Sequence, residues 1–180
     1  MPIQLPITTY GMEVLHKPAK LVEKVDAGII ELIENMYYTM SNAAGVGLAA
    51  PQVNEGISVA IVDISVMDEY KKIKPVTMIN PVIVEKLGSE TKEEGCLSIP
   101  ELRANVTRPD KIYLKFRDFN MNDVTLEAEG FLARVIQHEI DHLNGVLFVD
   151  HLDEDELKKY KTHLRKIKKG KVLTEYPLFV

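Results

Sequence analysis

The sequence holds one cysteine, Cys96, so no intramolecular disulfide can form and a reducing compartment is expected. It lacks any run approaching the ~18 apolar residues of a membrane span, and its N-terminus has no basic segment leading into an apolar one. A soluble protein that stays in the cytoplasm, away from membranes, is therefore expected. There is no basic excess either: 22 Lys and Arg against 27 Asp and Glu give a net charge of −5. That balance argues against a surface built throughout for DNA, while leaving room for a local basic patch. Internal repeats, low-complexity linkers and domain boundaries are missing too. With 180 residues, 46% of them hydrophobic and 27% charged, the chain reads as one globular domain over 1–180.

From Asp26 to Asn42 the residues Ile29, Ile30, Ile33, Met36, Tyr37 and Met40 share a helical face, with Asp26 as N-cap. GVGLAAPQ (Gly45 to Gln52) follows, where two glycines and a proline break the period and imply an irregular backbone. The runs Ile57 to Asp63, Val76 to Lys86, Lys111 to Asp118 and Asp123 to Gly130 have β character. After Gly130 the residues Phe131, Leu132, Val135, Ile136, Ile140 and Leu143 suit a helix that ends at Asn144-Gly145. A short strand and then a C-terminal helix, about Asp153 to Lys169, complete the order. Without regular βα alternation, the fold class is α+β, with antiparallel or mixed strands around a central helix.

That central helix carries HEIDH (His138 to His142), which sets two imidazoles at i and i+4, the spacing for one shared metal ion. Glu139 lies between them, within reach of a water on such an ion. A catalytic site of this kind takes three protein ligands, so a third is required. A metzincin protease would place a histidine where Phe148 stands, which removes that reading. A thermolysin-like zinc endopeptidase would use a downstream glutamate, and Glu154 and Glu156 are available. EGCLSIP (Glu94 to Pro100) offers Cys96 instead, at the end of a predicted hairpin arm, and a thiolate would complete a Cys, His, His set. A non-catalytic metal module is the third reading, although structural zinc sites normally have four ligands.

GVGLAAPQ, EGCLS and QHEIDH, in this order, resemble the three signature segments of the peptide deformylase family. The likeness continues through NPVI around Asn80, IPELRANVTR (Ile99 to Arg108) and LNGVLFVDHL, and so covers most of the chain. The resemblance implies a metal-dependent hydrolase that removes the formyl group from N-formylmethionyl nascent peptides. It implies that Cys96, His138 and His142 bind one divalent ion, ferrous iron in the native enzyme, with zinc, nickel or cobalt accommodated by the same donors. It also implies Glu139 as general base and then acid, and the Gln52 amide with the Leu97 N–H as oxyanion hole.

Phe131 and Val135 lie on the helical face of His138 and His142, so with Val46 they are candidates for an apolar wall beside methionine. The GVG segment around Gly47 could present a strand edge to the peptide backbone, largely on the strength of the resemblance. Asp141 and Gln137 are candidates for orienting the histidines, with Arg103 or Arg108 pairing to Asp141. The last helix carries Lys158, Lys159, Lys161, Arg165, Lys166, Lys168 and Lys169, a basic face that suggests contact with ribosomal RNA.

Overall fold

The structure is a computed structural model describing residues 1–179. Helix α1 spans Ala27–Asn42, and its start is fixed as the sequence predicts: the Asp26 carboxylate accepts from the Ile29 N–H at 3.1 Å. Such a cap contributes about 1 kcal/mol. The helix buries Ile33, Met36 and Met40, each worth roughly 1.5 to 3 kcal/mol out of water.

Five strands form one antiparallel sheet: β2 (Gly47–Ala49), β3 (Val59–Val62), β4 (Val76–Leu87), β7 (Lys111–Arg117) and β8 (Asp123–Glu129), in the order β2-β3-β4-β7-β8. Among the described residues β2 is thus an edge, paired only through β3, with Gly47 opposite Val62. A separate hairpin joins β5 (Glu90–Cys96) to β6 (Ile99–Arg108), and β1 (Ile7–Thr8) pairs in parallel with β9 (Leu178–Phe179). Helix α2 (Gly130–Leu143) is buried over most of its surface, as expected of the central element, and α3 (Glu154–Lys168) follows.

The strand expected between the last two helices is instead a 3₁₀ turn, Phe148–His151. Its Asp150 carboxylate accepts from the Leu147 N–H at 2.8 Å, a local bond that closes a turn where apolar content alone suggested extension. Gly145 is left-handed at φ +74°, and a Cβ there would lie 2.8 Å from the backbone of His16 and Lys17. Glycine therefore both ends α2 and admits the N-terminal segment.

Three apolar clusters hold these parts. One packs Ile136 and Ile140 of α2 on Ala60, Val62, Met78 and Leu114. The opposite sheet face packs Val59, Ile61 and Ile79 on α1. Strand β3 is buried on both faces, which explains its unbroken VAIV run. The third cluster joins Leu102, Ala104 and Val106 of β6 to Leu164 and Ile167 of α3. Among the described residues no helix is long and apolar enough to cross a membrane.

Candidate metal centre and active site

The α2 periodicity places His138 and His142 one turn apart, their ring centroids separated by 5.0 Å. Strand β5 ends at Cys96 directly against them, with Sγ 3.2 Å from His142 Nε2. Donor atoms of Cys96, His138 and His142 all lie within 4.8 Å of one another. Tetrahedral coordination by one thiolate and two imidazoles calls for donors about 3.3 to 3.6 Å apart, given bonds of roughly 2.0 to 2.3 Å. The set present fits one divalent ion. It also fits a catalytic centre better than a closed structural one, because among the described residues it is made of three ligands. Glu154 and Glu156, the alternative ligands, belong to the first turn of α3, Glu154 exposed and Glu156 half-buried, and neither joins this cluster.

His138 is oriented by a residue that sequence reasoning left without a role. Its Nδ1 lies 3.1 Å from the Glu94 carboxylate, which makes Nδ1 the protonated nitrogen and turns Nε2 toward the metal position. Glu94 also accepts from Arg108 Nε at 2.6 Å and Nη2 at 3.0 Å, and from Arg134 Nη1 at 2.7 Å. Burial alone would raise its pKa, but the bonds from His138 and Arg108 outweigh that and hold it at about 2. The carboxylate thus stays charged and keeps His138 in one tautomer.

Of the expected orienting groups, Asp141 does pair with Arg108, at 2.7 Å, and accepts from His151 at 2.7 Å. It touches neither metal-site histidine directly. Arg103 pairs with Glu93 instead, and the Gln137 amide is spent on the carbonyls of Pro109 and Ala133. The orienting role expected of Gln137 is therefore not seen. Glu94 was legible only as part of EGCLSIP; no periodicity points its side chain at a histidine 44 residues away.

Glu139 is 3% exposed, and its Oε2 has no hydrogen-bond partner among the described residues. Burial pushes its pKa up to about 7 against the opposing pull of the His138 and Arg108 charges. Gly47 is packed against it: a Cβ at that position would collide with Glu139 Oε1 and lie 2.9 Å from Val135 Cγ1. This contact gives the second glycine of GVG its reason. The first, Gly45, admits the Leu97 side chain, which would stand 2.9 Å from a Cβ there.

Gln52 is buried in a 3₁₀ turn, Ala50–Val53. Its Oε1 accepts from the Ala49 N–H at 2.8 Å, which fixes the amide plane and directs Nε2 toward Cys96 Sγ at 3.5 Å and Ser98 Oγ at 3.3 Å. Leu97 sits in the turn between β5 and β6, so its backbone is beside the thiolate. A cleft of about 740 Å³ opens over this cluster, lined among others by Val46, Gly47, Gln52, Cys96, Leu97, Phe131, Val135, His138 and Glu139. Val135 is buried and Phe131 half-buried, stacked on Tyr70 with centroids 5.7 Å apart. One wall of the cleft, Leu173 to Tyr176, was not foreseen in the sequence.

The family model described as polypeptide deformylase matches residues 4–158. The chain belongs to the peptide deformylase family. A peptide deformylase of Chlorobium phaeovibrioides is 47% identical over 174 residues, covering 97% of this chain and 92% of the relative. Among solved structures, the deformylase of Ehrlichia chaffeensis in complex with actinonin superimposes with a TM-score of 0.85 at 34% identity, over 96% of this chain and all of that one. The Met-Ala-Ser-bound class I type b deformylase of Acinetobacter baumannii gives 0.79 at 36% identity, over 84% of this chain and 100% of its own. This deformylase is accordingly a metal-dependent enzyme that removes the formyl group from the N-terminal formylmethionine of nascent polypeptides. Family membership sets aside the endopeptidase and the non-catalytic metal module.

Proposed function

We propose that residues 1–180 act as one domain in which Cys96, His138 and His142 hold the ion, Glu139 moves the proton, and Gln52 Nε2 with the Leu97 N–H bind the oxyanion. The observation that carries this reading is that Gln52, Cys96, Leu97, His138 and Glu139 line one cleft, with the buried His142 completing the donor cluster behind Cys96 and His138. When bound, the ion supplies Lewis acidity that lowers the pKa of a coordinated water from 15.7 to roughly 7. As water adds to the formyl carbon, Glu139 takes its proton and then delivers it to the departing methionine nitrogen. A carboxyl held at about 7 can do both near neutral pH. Gln52 Nε2 and the Leu97 N–H face the formyl oxygen as it becomes negative, each worth about 3 kcal/mol. Ferrous iron is the proposed native ion, with zinc, nickel or cobalt as working substitutes for the same thiolate and imidazole donors.

The methionine side chain lies against Val46, Phe131 and Val135, and the peptide backbone extends along the free edge of β2 from Gly47. The Acinetobacter relative is bound to Met-Ala-Ser, which supports a methionine-led peptide as the ligand. Formyl-Met-Ala-Ser should be cleaved up to about a hundredfold faster than acetyl-Met-Ala-Ser, because the extra methyl overpacks a fixed oxyanion site by roughly 1 to 3 kcal/mol. Comparing kcat/KM for the two peptides tests the reading, and equal values would refute it.

We further propose that the enzyme works in the cytoplasm and that α3 meets ribosomal RNA. Support comes from Lys159, Lys161, Lys166 and Lys168, all exposed on one 15-residue helix of a protein with net charge −5. Changing these four to glutamine should weaken ribosome co-sedimentation at low salt while kcat on a free peptide stays the same. Undiminished co-sedimentation would eliminate the contact.

A further inference from the structure

Beyond α3 the chain turns at Gly170, in the left-handed region at φ +63°, and runs back to the metal centre. Residues 171–179 alternate: Val172, Thr174, Tyr176 and Leu178 are half-buried, whereas Leu173, Glu175, Pro177 and Phe179 are exposed. The segment is anchored at its far end, where β9 pairs with β1 and the Ile7 N–H donates to the Pro177 carbonyl at 2.8 Å. Midway, Leu173 to Tyr176 form a wall of the catalytic cleft. Tyr176 packs in the same apolar cluster as Leu97, and its hydroxyl donates to the Leu97 carbonyl at 2.9 Å. The next residue of that turn is held from the other side, since the Tyr10 N–H donates to the Ser98 carbonyl at 2.9 Å and Gln52 Nε2 to Ser98 Oγ.

We propose that the C-terminal tail is part of the active site and that Tyr176 is a positioning residue that fixes the Leu97 turn, and with it the Leu97 N–H, against the formyl oxygen. The inference rests on the reading of the Leu97 N–H as an oxyanion donor. A donor amide is useful only if it is held still, and Leu97 lies in the two-residue turn between β5 and β6, the part of that hairpin with no ladder bonds of its own. The bond from Tyr176 restrains the carbonyl side of the same residue. Losing it lets φ and ψ of Leu97 relax, which misaligns the amide in the transition state more than it weakens the bound ground state.

Tyr176→Phe removes the hydroxyl and keeps the ring. In the metal-loaded enzyme kcat for formyl-Met-Ala-Ser should fall about three- to tenfold, the rate equivalent of one net hydrogen bond, with KM, metal content and Tm little changed. Exchange of the Leu97 amide proton, followed in ¹⁵N-leucine-labelled protein, should speed up. The proposal is overturned by an unchanged kcat, by a loss confined to KM, by a loss that tracks released metal or lowered Tm, or by unaltered Leu97 exchange. Gln52→Ala, run alongside, separates the two levels of the argument, since its kcat should fall about a hundredfold. If both variants are fully active, the oxyanion reading itself fails; if only the Gln52 variant is impaired, the role of Tyr176 alone fails.

Discussion

Replacing Glu139 with glutamine is expected to leave a folded protein with its metal in place and a kcat lower by a factor of about 10² to 10⁴. Glutamine matches the shape of the side chain packed against Gly47, and no ion pair is lost, because Glu139 makes none among the described residues. The amide can still hydrogen-bond to water; it cannot accept a proton from it. About 3 to 5 kcal/mol of transition-state stabilisation disappears, and since the peptide is proposed to be held by the β2 edge and the apolar wall rather than by Glu139, the loss belongs in kcat rather than KM. Metal analysis together with steady-state kinetics checks both halves. Near-normal kcat in a metal-loaded variant would move the proton transfer elsewhere, and loss of the metal would make Glu139 a support for coordination.

Cys96→Ala is expected to lose most of its bound metal together with its activity. Two imidazoles from one helix leave an ion underligated, and alanine at the end of β5 contributes no donor. The fold should survive, because Cys96 is only partly buried and the hairpin is held by its ladder from Glu90 to Gly95. Equilibrium dialysis followed by elemental analysis gives the occupancy, and circular dichroism the fold. Full occupancy would mean that the third ligand is another residue. In the ferrous wild-type enzyme, activity should also decay in air, since iron and thiolate are both oxidisable.

Local periodicity was enough to find the three helices to within a residue or two, including the Asp26 cap. It was also enough to place His138 and His142 on one face, because i and i+4 positions of a helix are neighbours whatever surrounds them. The four strands of the main sheet expected from β-rich runs appear as β3, β4, β7 and β8. The β5 and β6 strands were less legible. Glu90 to Cys96 has no apolar alternation, since its inward position at Glu94 is filled by a buried carboxylate rather than a hydrophobe.

The sequence by itself determined the helical metal motif, the need for a third ligand and, through three ordered segments, the family. Only the tertiary structure decided what surrounds that motif: Glu94 behind His138, Gly47 against Glu139, and Tyr176 on Leu97, 79 residues away. The physical reason is the range of the interactions. Helix period and capping are set by neighbours within four residues, so they are written in consecutive letters. An ion pair or hydrogen bond between distant segments depends on how the sheet, the hairpin and the returning tail pack together, and no local pattern records that.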